Sequence, residues 1–310
     1  MKILLTAIGK RVELIKHLKT QAYVIGADCS ELNPAREFVD KFILIPRVSD
    51  PEYVKALLKI CEEEKADYLI PLLEDEFPVL SSVSDEFAKA GTNLLLSDSK
   101  VLNICKDKIE TARFFEKYDI PAPKTYYDIT NIELNAEYPL IVKPSKGMGS
   151  SGVFVVNDSA DLEYALRKTK EPIVQQMLTG TEYTMDILCD NDGQIIYIVP
   201  RERLEVRSGE VVKSRVVLRD CVIRLSELVM RSLASEGSVK GPFTLQCFVN
   251  EKNEAFMLEI NPRFGGGVPL AFASGADYAS ALKDMLEGNE IKKNDIVPKT
   301  MLRFDDSVFI

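Results

Sequence analysis

Two stretches of this chain carry side chains whose types and spacing suit chemistry. In VKPSKGMGSSGVFVV an apolar strand pattern runs into Lys143, and a second strand pattern resumes after Gly152. Between them, the seven residues from Lys146 to Gly152 hold three glycines (Gly147, Gly149, Gly152) and two serines (Ser150, Ser151). Such a loop offers many free backbone N–H groups, which can close over phosphate oxygens. The composition equally suits a plain hairpin, and the GK[ST] ending of a Walker loop is missing. The second stretch is FMLEINPRFGGG, where Glu259 and Asn261 lie two apart in a strand and project to one face. Residues Asn250 to Glu254 read as a turn back to FTLQCFV, so hairpin pairing brings Gln246 beside Glu259. One carboxylate with two amides is a hard oxygen set of the kind magnesium takes together with phosphates and water. Leu258 and Ile260 are expected to face the other way, into a core. Arg263 follows directly, and a guanidinium there can neutralise charge on a transferring phosphoryl group.

Other charged residues suggest a substrate. Arg201, Arg203 and Arg207 are spaced by two and four, with Lys213 and Arg215 after them. A row on one strand face would bind an acid, although a charge-guarded strand edge reads the same way. Asp28 and Glu74-Asp75-Glu76 follow apolar strands, at the end where open parallel sheets bind ligands. They would hold an amine there, or simply favour a helix N-terminus. The turn AIGKR lacks the spacing of a dinucleotide fingerprint, which argues against NAD.

The elements that must position these residues change character along the chain. Over the first hundred residues KILLTAI, YVIGA, KFILIP, DYLIPL and TNLLLS are short apolar strands separated by helical patterns. That alternation predicts a parallel sheet covered on both faces. Asp50-Pro51 is expected to cap and open a helix whose apolar stripe is Val54, Leu57, Leu58 and Cys61. Residues 98–118 read as helix in two pieces, the second starting at Asp107 in a capping-box spacing with Glu110. From residue 138 strands dominate, several joined by hairpin turns such as Asn191-Asp192-Gly193.

Taken together, the segments resemble the ATP-grasp superfamily, and specifically the ATP-grasp part of the carbamoyl phosphate synthase large subunit. The order matches over about residues 100–290: Lys108 in CKDK, Lys143 in VKP, the glycine loop, IVQQML, TGTEYTMDIL, then LQCFV and LEINPR. The resemblance implies ATP and magnesium as cofactors, with manganese as a substitute. It implies that Lys108, Lys143 and the loop contact the phosphates. Gln175, Gln176, Met177 and Leu178 would be the hinge reading adenine through backbone groups, and Glu182 would take the ribose hydroxyls. Gln246, Glu259 and Asn261 would hold the metal, with Lys143 and Arg263 catalytic. Arg201, Arg203, Arg207, Glu74 and Asp75 remain candidates for the substrates. Two glutamines stand at the hinge where acidic residues are usual. PRERLEVRSGEVVKSRVV lacks the histidine found near this point in carbamoyl phosphate synthases, and the chain has a single ATP-grasp unit.

The expected architecture is therefore α/β followed by α+β: a parallel-sheet pre-ATP-grasp domain over 1–100, then an ATP-grasp fold over 101–310 with its lid over about 121–180. The expected activity is an ADP-forming ligase that activates a small-molecule carboxylate as an acyl phosphate for attack by an amine. Kinase-like or carbamoyl-type phosphoryl transfer, or an ATP-binding regulator without turnover, are the alternatives. The net charge of −9 argues against a nucleic-acid partner. No apolar run is long enough for a membrane span or a signal peptide. The six scattered cysteines show no metal or redox spacing and suit a reduced, cytoplasmic protein. Assembly as a homodimer is left open.

Overall fold

The computed structural model describes residues 1–129, 132, 136–147, 152–207 and 209–310. Strands β1 (Lys2–Thr6), β2 (Tyr23–Asp28), β3 (Lys41–Leu44), β4 (Tyr68–Pro71) and β5 (Asn93–Leu94) form a parallel sheet in the order β3-β2-β1-β4-β5. Helices α1 (Val12–Leu18), α2 (Tyr53–Glu64), α3 (Phe77–Ser82) and α4 (Ser84–Lys89) connect them. The apolar runs are buried on both faces because alternate side chains enter different cores. Ile3 and Leu5 pack with Leu14, Ile15 and Leu18 of α1. Leu4 and Ile25 pack on the other side with Leu57 and Cys61 of α2 and with Phe77 and Phe87. Helix α2 starts later than expected. The Asp50 carboxylate accepts from the Glu52 N–H at 2.9 Å, and the Tyr53 N–H donates to the Asp50 carbonyl at 3.0 Å. Asp50 thus makes a local side-chain turn, and Pro51 lies within it.

Helices α5 (Ser99–Lys106) and α6 (Lys108–Lys117) follow, capped by Asp98 and Asp107 through their carboxylates. Glu110 turns to Arg113 at 2.8 Å, so Asp107 serves as the cap without the reciprocal half of the box. A four-stranded antiparallel sheet comes next: β6 (Thr125–Tyr126), β7 (Leu140–Pro144), β8 (Phe154–Val156) and β9 (Pro172–Gln176), ordered β6-β9-β7-β8. With α7 (Ser159–Lys168) it encloses its own small core of Ile132, Leu140, Val142, Val156, Leu162 and Val174.

The largest sheet has six antiparallel strands: β10 (Thr181–Cys189), β11 (Ile195–Arg207), β12 (Glu210–Val216), β13 (Gly241–Val249), β14 (Ala255–Asn261) and β15 (Thr300–Leu302). Their order is β14-β13-β10-β11-β12-β15. The β10–β11 turn closes with the Asp190 N–H on the Gln194 carbonyl at 2.9 Å, and Gly193 supplies the φ of +80°. One face packs on α8 (Asp220–Glu236), where Val222, Val229 and Leu233 meet Met185, Phe243 and Leu245. On the other face Tyr197, Val199 and Val216 join α9 (Pro269–Ala273) and α10 (Tyr278–Glu287) in the same core as Ile3 and Leu5. The parallel sheet and the six-stranded sheet therefore share one core, while the four-stranded sheet has a separate one. Among the described residues no helix is long and apolar enough to cross a membrane.

Candidate functional site

Residues of the four-stranded sheet, the six-stranded sheet, α6 and the loop after β1 line one cleft of about 910 Å³. On the body side, the β13–β14 hairpin pairs Gln246 with Glu259 and Thr244 with Asn261. Glu259 Oε1 accepts from Asn261 Nδ2 at 2.7 Å and from Gln246 Nε2 at 3.1 Å. Asn261 Oδ1 in turn accepts from Arg263 Nη2 at 3.3 Å, and Arg263 Nε donates to Glu74 Oε1 at 2.7 Å. The expected convergence of one carboxylate and two amides is thus present, oriented by an arginine that is itself held by a carboxylate. Leu258 departs from the expectation. Cys247 pairs with Met257, so Leu258 is the extra residue of a bulge and lines the cleft, whereas Ile260 is buried in the core below.

The opposite wall carries the lysines. Lys143 lies in the cleft at the end of β7, and burial pushes its ammonium down to about 8. Glu259 opposes that shift and Lys108 adds to it, so the three groups feel one another across the cleft. Lys108 Nζ donates to the Gly147 carbonyl at 2.9 Å, and its N–H donates to the Ser145 carbonyl at 2.9 Å. The start of α6 is thereby tied to the glycine loop. Gly147 lines the cleft, and Gly152 has a φ of +71° beside Pro144. The candidates Gly149, Ser150 and Ser151 lie outside the described residues.

The hinge runs along the cleft from Gln175 to Leu178. Gln175 is buried with its Nε2 donating to Thr125 Oγ1 at 2.9 Å. The Gln176 N–H goes to the Lys124 carbonyl at 2.9 Å and the Met177 N–H to the Pro139 carbonyl at 3.1 Å. Two of the expected backbone donors are therefore already used. Among the described residues the Leu178 N–H has no hydrogen-bond acceptor. Ile141, Met177, Leu178, Phe248 and Leu258 give this end of the cleft an apolar lining. Glu182 stands 3.1 Å from Arg203 Nε. Burial raises the Glu182 carboxyl above the usual range, Arg203 opposes this, and the nearby Glu259 reinforces it.

The expected arginine row is not a row. Arg201 is 2% exposed and paired internally, Nε to Asp186 Oδ2 at 2.7 Å. Arg203 serves Glu182. Register shifts after Arg203 and after Glu205 break the alternation, and Arg207 lies outside the cleft lining, 73% exposed. The acidic cluster also divides. Asp28 accepts from the backbone of Gly9 and Ser30, Glu76 is buried and bonded to Tyr53, and Glu74 holds Arg263. Asp75 lines a separate, neighbouring cavity of about 450 Å³. Asp28 and Glu76 are spent on shaping loops, so among the described residues the strand ends do not form a single acidic pocket for an amine.

Sequence reasoning missed Asp186, Leu258, Arg11 and the glycine run after Arg263. A Cβ on Gly267 would stand 2.5 Å from Arg201 Cζ, and one on Gly265 would stand 2.8 Å from Thr244 Oγ1. The loop thus presses directly on the buried Arg201–Asp186 pair. Three consecutive glycines after a strand end were the available signal.

Comparison with known proteins places this geometry. Residues 105–267 match the family model of an ATP-grasp domain, and residues 3–95 match that of a PylC-like N-terminal domain. The carbamoyl phosphate synthase large chain of Campylobacter jejuni is 27% identical over 285 residues, covering 84% of this chain and 25% of that protein. The chain spans about a quarter of the length of the curated relatives it matches. The ADP complex of N5-carboxyaminoimidazole synthetase from Staphylococcus aureus superposes with a TM-score of 0.79 at 18% identity, over 98% of this chain and 82% of that one. L-amino acid ligase from Bacillus licheniformis gives a TM-score of 0.68 at 18% identity, over 92% and 74%. The match over more than half of its length, in the order of motifs that lines the cleft, shows that this chain belongs to the ATP-grasp family.

Proposed function

We propose that the chain is an ATP- and magnesium-dependent, ADP-forming ligase that joins a carboxylate to an amine through an acyl phosphate. The observation that carries this reading is the meeting of two sets of groups across one cleft: Lys108 and Lys143 on one wall, Gln246, Glu259, Asn261 and Arg263 on the other. Phosphoryl transfer needs positioning and charge neutralisation more than covalent help from the protein, and these residues supply both. The apolar end offers a slot for adenine, with the Leu178 N–H as its hydrogen-bond donor. Glu182, oriented by Arg203, accepts from the ribose hydroxyls. The four-stranded sheet, with its own core, acts as the lid.

The donor set fits magnesium. It is all oxygen, with one carboxylate and two amides, and among the described residues no group of three His, Cys, Asp or Glu makes a dedicated cage. Bound there with the triphosphate, the ion would screen charge on the β- and γ-phosphates. Lys143 holds the phosphates from the lid side, and Lys108 does so from the start of α6, beside Gly147. Arg263, fixed by Glu74, neutralises the carboxylate and then the acyl phosphate. In the first step a carboxylate oxygen bonds to the γ-phosphorus as the bond to ADP breaks. In the second the amine nitrogen bonds to the acyl carbon, phosphate leaves with that oxygen, and the amine proton passes to solvent.

The test is an ADP-release screen across pairs of amino acids and small carboxylates, with hydroxylamine in place of the amine. A ligase yields ADP together with a hydroxamate of the responding acid. ADP without any hydroxamate, accompanied by a stable phosphorylated product, would make the protein a kinase instead.

A further inference from the structure

The arginines that line the cleft are matched with carboxylates, with one exception. Arg263 has Glu74, Arg201 has Asp186 and Arg203 has Glu182. Arg11 lines the same cleft, half-buried, and among the described residues its guanidinium makes no ion pair and no hydrogen bond. A partly desolvated guanidinium without acceptors carries an uncompensated cost, which an anionic ligand in the cleft would relieve.

The positioning is built by the backbone. The turn after β1 takes positive φ at Ala7 (+50°) and Gly9 (+45°). The Gly9 N–H donates to the Asp28 carboxylate at 3.1 Å, the Gly9 carbonyl accepts from the Ala35 N–H at 3.2 Å, and the Arg11 N–H closes on the Ile8 carbonyl at 2.8 Å. The chain is thus clamped on both sides just before Arg11. Opposite, Arg11 Nη1 lies 3.9 Å from where a Cβ on Gly266 would stand, so the side-chain-free backbone of the glycine loop runs beside the guanidinium. Its charged neighbours are Arg263, Glu210 and Arg303; burial and the two arginines lower its proton affinity, and Glu210 opposes them. Lys143 senses a different set, Glu259 and Lys108. The cleft therefore has two separate regions of surplus positive charge.

We propose that Arg11 is the anchor for an oxyanion, carboxylate or phosphate, carried by the substrate that shares the cleft with the nucleotide. This rests on the ligase reading above and adds a substrate class to it: one reactant bears a second anionic group away from its reacting atoms. The planar fork of Arg11 takes that oxyanion through paired N–H donors, with no side chain from Gly266 beside it. Arg263, already turned to Glu74 and Asn261, is left to the reacting carboxylate.

The experiment is a thermal-shift titration of the full chain with sodium phosphate and with sodium succinate, against sodium chloride at equal ionic strength, with and without saturating Mg-ADP. Wild type, Arg11→Gln and Arg11→Lys are compared. Wild type is expected to be stabilised beyond the chloride control by at least one oxyanion. The apparent affinity falls about tenfold or more in Arg11→Gln and less in Arg11→Lys, which keeps the charge but loses the fork. The Mg-ADP shift is unchanged in both variants, which also shows that they fold. A response to phosphate alone assigns a phosphorylated substrate, and one to succinate alone a carboxylate. No oxyanion effect in wild type, or an equal effect in Arg11→Gln, overturns the proposal. Failure of the nucleotide reading is visible separately, as the absence of an Mg-ADP shift in every protein.

Discussion

The two walls of the cleft handle charge in opposite ways. On the six-stranded sheet nearly every charged group has an internal partner: Arg201 with Asp186, Arg203 with Glu182, Arg263 with Glu74. On the facing wall Lys143, at the end of β7, is half-buried with its proton affinity depressed by desolvation, and Lys108, at the start of α6, rests on a carbonyl. The paired wall is pre-oriented and electrically quiet, which suits groups that must hold a geometry. The unpaired wall carries a partly desolvated ammonium, a cost that an arriving anion would relieve, as the proposed closure on phosphates requires. The four-stranded sheet that carries Lys143 has a hydrophobic core of its own, whereas α6, which carries Lys108, packs with the six-stranded sheet.

The largest effect should come from breaking the quiet wall. Asp186→Ala leaves the Arg201 guanidinium buried without its carboxylate, beneath a glycine loop that leaves no room to escape. A loss of about 3–5 kcal/mol in unfolding free energy is expected, read from the urea midpoint at constant slope. An unchanged midpoint would mean that this pair does not support the wall.

Next in size is Glu259→Gln, which keeps the shape of the hairpin and removes its anionic oxygen. Turnover should fall by about a hundredfold, while the urea midpoint moves little. Near-normal turnover would place the metal elsewhere.

Much of this was legible beforehand because it is local. Strand periodicity and a short turn suffice to set Gln246 opposite Glu259, and the two apolar patterns around Lys143 suffice to place it at a strand end. What escaped depends on distant pairing. Arg201 looked like a surface charge because nothing near it in sequence shows that Asp186, on the neighbouring strand, is buried with it. Period-2 alternation puts Leu258 in the core, and the bulge that turns it to the cleft leaves no mark in the sequence. Arg207 was turned out of the cleft by register shifts of the same kind. Arg11 gives no signal in the sequence, because its place in the cleft is set by contacts of its turn with Asp28 and Ala35.

A smaller effect concerns pH. Burial pushes the Lys143 ammonium down to about 8, and a bound phosphate would favour its protonated form. Binding near and above that pH must therefore take up a proton. Nucleotide affinity should be level below pH 7 and weaken above pH 8 by at most about tenfold per unit. Calorimetry in buffers of different ionisation enthalpy reads the proton uptake directly. Lys143→Arg, which stays charged throughout, should flatten the profile, and a wild-type profile that is already flat would contradict the unpaired-wall picture.

The ligase reading is tested most directly by following an oxygen atom. With a responding acid labelled with oxygen-18 in its carboxylate, plus the amine and Mg-ATP, one labelled oxygen should appear in the released phosphate, with ADP as the nucleotide product. Unlabelled phosphate, or AMP and pyrophosphate in place of ADP, would contradict it, since either would mean that the carboxylate never bonded to the γ-phosphorus that the two walls are arranged to hold.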